Sequence, residues 1–213
     1  RTGAGLTYAT RLVLDKGEEA VRAALGFPEG DVVVGSVGRL SPQKNPADFV
    51  RVAERLCEDR EHLHFIYVGD GPLRSETESA IERSSLSGRV HLLGIRDDVP
   101  DLLRAMDVFM LTSLWEGLPR VVLQSLATGV PVVAYDTAGI EEAVLEGRNG
   151  HLVPPGDVDS MVARLGALVD DGSLRARMGA AAAGELDRSF TEEAMIEELE
   201  ALYRELIEGS GRR

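Results

Sequence analysis

Two short stretches of the chain carry residue types that could perform chemistry. Glu116 lies in LWEGLPRVVLQ, between an apolar, strand-like run and a helical pattern. Arg39 and Lys44 lie in VVVGSVGRLSPQKNPADF, at a second strand-to-helix junction. Because α/β folds bind ligands in the loops that follow parallel strands, both loops are candidates for a binding site. One acidic loop and one doubly basic loop predict a site for a sugar attached to phosphates.

The basic loop has the features of an anion site. Asn45 is a residue type that caps helices and Pro46 suits the first helical position, so we expect a helix N-terminus directly behind Lys44. Such an end attracts anions. Arg39 would offer a planar fork and Lys44 a point charge, which together would stabilise the negative charge that grows as a diphosphate departs. The alternative is that both are ordinary surface residues.

The acidic loop follows a parallel logic. Gly117 allows close approach to the backbone, and Pro119 begins the next helix and leaves neighbouring N–H groups free. Glu116 would accept hydrogen bonds from sugar hydroxyls or lie beside the cationic character that develops at an anomeric carbon. A helix cap or a simple surface turn is the alternative for this loop.

Other kinds of site are disfavoured. The stretch GSVGR at 35–39 lacks the GxGxxG spacing, and the sequence contains no GxxxxGK[ST] loop, which argues against a dinucleotide oxidoreductase and a P-loop ATPase. The four histidines show no metal-ligand spacing, so no metal site is predicted. The loop GDGPL at 69–73 is interpreted as a tight turn, with contact to a bound nucleotide as the other possibility.

The composition of the chain argues against several classes of partner and site. With 36 acidic and 23 basic residues in 213, the net charge of -13 argues against nucleic acid as a partner. Cys57 is the only cysteine, which excludes an internal disulfide and suggests core packing. The chain has neither an apolar run of about 20 residues nor a leader-like N-terminus, so we expect a cytoplasmic protein.

Hydrophobic patterning predicts the architecture. Apolar runs of four to seven residues alternate with helical patterns from Asp31 to Pro154, which is typical of a parallel sheet covered on both faces. The predicted fold class is α/β, doubly wound, with a mostly parallel Rossmann-like sheet, helices on both faces and extra C-terminal helices. Residues 1–30 are interpreted as a leading segment or linker with a short helix, and 31–213 as a single Rossmann-like domain. The predicted helices include 46–58, 72–86, 99–105, 119–128, 140–146, 157–171, 173–187 and 191–208.

Four motifs in order carry a family resemblance. The stretches VGRLSPQKNP, YVGDGPL, LTSLWEGLPRVVLQSLATGVPVVA and NGHLVPPGD resemble the C-terminal, donor-binding domain of family-four retaining glycosyltransferases of GT-B fold, over roughly residues 31–205. The resemblance implies transfer of a sugar from a nucleotide diphosphate sugar, with retention of anomeric configuration and without a required metal or other cofactor. It also implies an N-terminal, acceptor-binding domain that this chain does not contain. Membrane contact is expected only through that missing half, at the inner membrane face.

The resemblance assigns roles to individual positions. Arg39 and Lys44 would hold the donor diphosphate, with Gly38 beside them, and Glu116 would face the transferred sugar. Backbone groups at Gly117 and Leu118 would help to bind that sugar. The remaining implied positions are Ile95 and Arg96 near the nucleotide base, and Gln124 at the ribose.

One position departs from the family pattern. Relatives commonly carry a second Glu eight positions after the first, whereas this chain has Gln124 there. Its amide oxygen still accepts a hydrogen bond from a ribose hydroxyl but loses the charge-assisted bond. The expected function is donor binding within a glycosyltransferase, with little transfer by this half alone. The alternatives are a non-catalytic nucleotide-sugar binding or regulatory module and a nucleotide-sugar 2-epimerase-like protein of the same fold.

Overall fold

The protein is described by a computed structural model that covers residues 17–84 and 86–185, together with 196, 197, 199–201, 203, 204 and 207. Residues 1–16 of the leading segment and most of the helix predicted at 191–208 lie outside the described residues. Within the described ranges the strands are β1 (Val32–Val37), β2 (Leu63–Val68), β3 (Val90–Gly94), β4 (Val108–Leu111), β5 (Val132–Tyr135) and β6 (Gly150–Val153). The helices are α1 (Glu18–Leu25), α2 (Pro46–Cys57), α3 (Arg74–Arg83), α4 (Val99–Arg104), α5 (Arg120–Ala127), α6 (Val158–Asp170) and α7 (Gly172–Glu185).

The strands form one parallel sheet in the order β3-β2-β1-β4-β5-β6. Val34 of β1 pairs with Phe65 of β2 on one side and with Val108 of β4 on the other. The chain therefore leaves β1 toward one edge and returns to build the other half from β4. The carboxyl ends of β1 and β4 meet at the switch point where open α/β sheets bind their ligands. The predicted doubly wound α/β class is confirmed.

Each face of the sheet has its own hydrophobic core. Val33 and Val34 are both fully buried, and as successive strand residues they point to opposite faces. Val34 belongs to the core that includes Phe49 of α2, and Val33 to the core that includes Leu103 of α4. Burial on both faces explains why the strands are continuous apolar runs instead of alternating patterns.

The helix predicted at 140–146 is wrong in extent. The structure has a single 3-10 turn, Ile140–Glu142, in its place. Beyond it, the Asn149 side chain accepts a hydrogen bond from Leu145 N at 2.7 Å and donates one to Ala143 O at 3.0 Å. This side chain takes backbone groups that a continuing helix would use, which is how Asn competes with helical structure.

Candidate functional site

The basic and acidic loops meet at the switch point. Lys44, in the loop after β1, forms an ion pair between its Nζ and Oε1 of Glu116, in the loop after β4. The two side chains are only 16% and 10% exposed. The structure therefore brings together the two residues that the sequence singled out as a cation and an acid. Their charges compensate each other in a partly desolvated setting, where an ion pair is stronger than at an open surface.

Further hydrogen bonds hold the two loops against each other. Leu114 N donates to Gln43 O at 2.9 Å, and Gln43 Nε2 donates to Trp115 O at 2.9 Å. The Thr112 hydroxyl donates to Lys44 O at 2.9 Å. Sequence reasoning missed Gln43 and Thr112, because a neutral polar residue inside a loop motif has no pattern that sets it apart. Lys44 and Glu116 are thus held by backbone contacts as well as by their own charges.

The start of α2 differs from the sequence prediction in one detail. Pro46 occupies the first helical position, as expected, and Asn45 precedes it with left-handed backbone angles (φ 48°). The Asn45 side chain does not cap the helix. Its amide nitrogen donates instead to Oδ2 of Asp48 at 2.6 Å, so the side chain is held by the carboxylate one turn ahead and does not accept a bond from the helix backbone. The helix N-terminus nevertheless lies directly behind Lys44.

Arg39 lies exposed at the mouth of the site. Within the described ranges its guanidinium forms neither a hydrogen bond nor an ion pair. Its backbone is held, because Arg39 O accepts a hydrogen bond from the Tyr67 hydroxyl at 3.4 Å and Gly38 N donates to Val68 O at 2.9 Å. An exposed guanidinium on an anchored backbone is available for an anionic ligand.

The GDGPL loop packs under the basic loop. Gly69 has φ 136°, and a Cβ there would lie 2.0 Å from Gly38 O. Leu40 N donates to Asp70 O at 3.0 Å, and Leu73 N donates to Leu40 O at 3.0 Å. Only a glycine allows this approach of two backbones. The loop that was interpreted as a tight turn thus also supports the residues around Arg39.

The backbone of the acidic loop is packed from below by the loop after β5. Gly139 has φ 84°, and a Cβ there would lie 3.4 Å from both Gly117 C and Leu118 N. Gly117 itself is exposed and Leu118 is half-buried. Gln124 lies half-buried on α5, and its side-chain amide has no hydrogen-bond partner among the described residues. These groups therefore have hydrogen-bonding capacity left for a ligand.

Ile95 and Arg96 lie to one side of the central pair. They follow β3, an edge strand that is separated from β1 by β2. Ile95 is 81% exposed. The Arg96 guanidinium forms a bidentate pair with Asp98, at 2.7 and 2.6 Å. The fold places them at the carboxyl edge of the sheet, and in the described residues the hydrogen bonds of the Arg96 guanidinium go to Asp98, while Lys44 pairs with Glu116.

The Tyr67 hydroxyl contacts the basic loop in its neutral form. Burial and the nearby Glu116 carboxylate raise the pKa of Tyr67, so its hydroxyl stays protonated and donates to the basic loop.

No cluster of three or more potential metal ligands occurs in the described residues. No helix of the described ranges is long and apolar enough to cross a membrane.

The parallel sheet with facing basic and acidic loops at its switch point defines a Rossmann-like ligand-binding domain. Residues 17–185 match the family described as glycosyl transferases group 1, and the chain belongs to this family. The predicted resemblance to a glycosyltransferase donor domain is thereby confirmed.

Individual relatives agree with this assignment. The chain is 32% identical over 186 residues to the UDP-Gal:alpha-D-GlcNAc-diphosphoundecaprenol alpha-1,3-galactosyltransferase of Escherichia coli. This match covers 86% of this chain and 48% of that protein. Among solved structures, Anabaena HepE in complex with UDP has 28% identity and a TM-score of 0.77, over 86% of this chain and 52% of that one. The chain spans about half the length of these relatives.

A third comparison concerns the fold alone. The C-terminal domain of a group 1 family glycosyl transferase, LpcC from Francisella tularensis, superimposes with a TM-score of 0.74 at 20% identity. The match covers 83% of this chain and 94% of that domain. The described residues therefore share the fold of that domain.

Proposed function

We propose that this chain is the donor-binding half of a retaining glycosyltransferase, which transfers a sugar from a nucleotide diphosphate sugar to an acceptor. Membership of the glycosyl transferase family supports the reaction class. The complex of the related HepE with UDP supports a nucleotide donor. The observation that carries the proposal is the approach of Lys44 to Glu116 across the switch point, because it places a cation and an acid where a phosphorylated sugar would need both.

The cations would serve the leaving group. Lys44 lies at the N-terminus of α2, and Arg39 has a guanidinium with no partner in the described residues. Together they would hold the diphosphate and stabilise the negative charge that it gains when the bond to the sugar breaks. Gly38 would let the phosphates approach the backbone. Because two side-chain cations and a helix N-terminus supply positive charge, the proposed reaction requires no metal or other cofactor.

The acid would serve the sugar. Glu116 would accept hydrogen bonds from sugar hydroxyls and stabilise the cationic character at the anomeric carbon. Backbone groups at Gly117 and Leu118 would contribute further hydrogen bonds. With these roles, the bond that breaks, which joins the sugar to the diphosphate, would lie between Lys44 and Glu116.

The nucleoside would extend from this centre along the carboxyl edge. Ile95 and Arg96 would lie near the base, and Gln124 would accept a hydrogen bond from a ribose hydroxyl. The exposed side chain of Ile95 supports a contact that a ligand would cover. The half-buried Gln124 amide, with no partner in the described residues, supports the ribose contact.

The proposal includes a second half. We expect residues 31–213 to form the donor domain, with 1–30 as the leading segment, and the acceptor to bind to a domain outside this chain. That the chain spans 48% of its galactosyltransferase relative supports this division. We expect the protein in the cytoplasm, with any membrane contact made by the acceptor-binding half.

The alternative is a nucleotide-sugar binding or regulatory module without catalysis. One observation favours it: Gln124 stands where relatives commonly carry a second acid, so the ribose loses a charge-assisted hydrogen bond. Co-expression with an acceptor-binding half distinguishes the two. Sugar transfer that disappears in Glu116→Ala would support the enzyme, and donor binding without transfer would support the module.

Donor binding is tested first on the 213-residue chain. Thermal shift and calorimetric titration with UDP, GDP and ADP should identify one nucleotide that stabilises the fold by about 2.7 kcal/mol at 100 times its dissociation constant. Lys44→Ala should abolish this shift. Arg83→Ala removes an exposed arginine of α3, away from the site, and is the matched control. Absence of binding to all three nucleotides would contradict the proposal.

A further inference from the structure

Gln43 lies in the basic loop and forms hydrogen bonds with the acidic loop. Its backbone oxygen accepts from Leu114 N, and its side-chain amide donates to Trp115 O at 2.9 Å. The same Nε2 lies 3.5 Å from Oε2 of Glu116, longer than an ordinary hydrogen bond. Lys44, the next residue, forms the ion pair with the other carboxylate oxygen, Oε1. The Glu116 carboxylate thus lies between a charged donor and a neutral one.

A diphosphate bound at Lys44 would compete with Glu116 for the Lys44 ammonium group. The three N–H donors of that group would then be shared between the carboxylate and the phosphates. The Glu116 side chain is only 10% exposed, so water cannot fully replace the lost cation. A partly buried carboxylate without a donor is costly, and the Gln43 amide is an uncharged donor that lies 3.5 Å from Oε2 of Glu116.

We propose that Gln43 is a positioning residue, which takes over the Glu116 carboxylate when a donor diphosphate draws Lys44 away. The shift requires the 3.5 Å separation to close by about half an ångström to normal hydrogen-bond length. Gln43 then keeps Glu116 aimed at the sugar while Lys44 serves the phosphates. This inference rests on the proposed function, since it assigns the diphosphate and the sugar to opposite sides of the Lys44–Glu116 pair.

The neutral side chain suits this exchange. A glutamate at 43 would repel Glu116 and compete for Lys44, and a lysine would form a second ion pair and leave Glu116 less free for sugar hydroxyls. An amide donates a hydrogen bond without adding charge. Its anchor on Trp115 O holds the amide in place before the ligand arrives.

The test measures separately the affinity for the nucleotide and the affinity that the sugar adds. Calorimetric titration of the 213-residue chain with UDP and UDP-glucose, or with the corresponding pair for whichever base binds, measures what the sugar adds to affinity. Gln43→Met keeps the length and the backbone hydrogen bond but removes the amide. We expect its affinity for the nucleoside diphosphate to stay within about twofold, and the gain from the sugar to fall about tenfold.

Controls separate the possible failures. Gln43→Glu should weaken the nucleoside diphosphate as well, because a second acid competes for Lys44. Melting curves for each variant, with Gln43→Ala as a second truncation, show whether folding is affected. An unchanged gain from the sugar in both Gln43→Met and Gln43→Ala would overturn the inference and leave donor binding intact. Equal losses for both ligands would show a structural role only, and a wild-type chain that binds neither would overturn the proposed function with it.

Discussion

The Tyr135 hydroxyl donates a 2.8 Å hydrogen bond to Oδ2 of Asp48, which joins the end of β5 to the first turn of α2. Asp48 also accepts from Asn45 Nδ2 at 2.6 Å and from Arg51 Nη1 at 3.0 Å. Burial, and then the bond to Asp48, raise the pKa of Tyr135, so its hydroxyl remains a donor. This network holds the left-handed backbone of Asn45 next to Lys44.

Removal of Asp48 is expected to destabilise the fold. Asp48→Ala leaves the buried Tyr135 hydroxyl and the Asn45 amide without their acceptor and should lower the free energy of unfolding by about 3 kcal/mol. Tyr135→Phe removes one hydrogen bond and should cost about 1 kcal/mol. Urea denaturation measures both. Arg51→Ala removes only the exposed member of the network and should cost less than about 0.5 kcal/mol, because its side chain is 67% exposed and Asp48 keeps its bonds to Tyr135 and Asn45. Equal effects of Asp48→Ala and Arg51→Ala would contradict the network.

Replacement of Lys44 and of Arg39 should have different effects on the stability of the fold but similar effects on nucleotide binding. Lys44→Ala leaves the partly buried Glu116 without its cation and should lower the free energy of unfolding by about 2 kcal/mol. Arg39→Ala removes an exposed side chain with no partner in the described residues and should change it by less than about 0.5 kcal/mol. Each should weaken nucleoside diphosphate binding at least about tenfold, since each loses a charge-assisted contact. Urea melts and calorimetric titration check the two halves of this prediction, which fails if Arg39→Ala binds like wild type.

Gly69 should tolerate no side chain. Gly69→Ala would place a Cβ 2.0 Å from Gly38 O at φ 136°. Because neither backbone can move without displacing the loop around Arg39, we expect a loss of more than about 3 kcal/mol and weaker diphosphate binding. Gly88→Ala is the matched control, with φ 85° and nothing within 4 Å of its Cβ. It should cost about 1 kcal/mol and leave binding unchanged. Similar losses for both variants would show that backbone angles alone matter at Gly69.

His91 should make the fold sensitive to mild acid. Its Nε2 is buried without a partner in the described residues, and its ring meets Phe27 edge-on at 5.2 Å and His64 at 5.7 Å. Burial and then His64 lower the pKa of His91. In the unfolded chain a histidine takes up its proton near pH 6.5, at a higher pH than in the fold. The stability from neutral His91 is therefore complete above about pH 6.5 and declines as the pH falls below it.

Replacement of His91 tests this pH dependence. His91→Leu cannot take up a proton, so it should lose less stability than the wild type between pH 7.5 and 5.0, by up to about 1 kcal/mol. Chemical denaturation at several pH values measures the difference. Parallel pH profiles for the two proteins would show that other groups cause the acid sensitivity.

Local sequence patterns were sufficient to predict the fold class and most of the described helices and strands. The apolar runs at β1 and β4 and the Pro46 that opens α2 lie where the sequence predicted them. They depend on neighbours within a few residues, which a sequence displays directly. The pattern failed at 140–146, where Asn149 diverts backbone groups by side-chain hydrogen bonds that hydrophobic periodicity does not encode.

By itself, the sequence determined the class of sheet, the two loops that carry charge, and the family to which the motifs belong. Only the tertiary structure decided that Lys44 and Glu116, 72 positions apart, form an ion pair, and that Gln43 lies beside them. The reason is physical. Strand order brings β1 next to β4, and contacts between loops from distant parts of the chain depend on how the two cores pack. A pattern of neighbouring residues contains no distance between such loops.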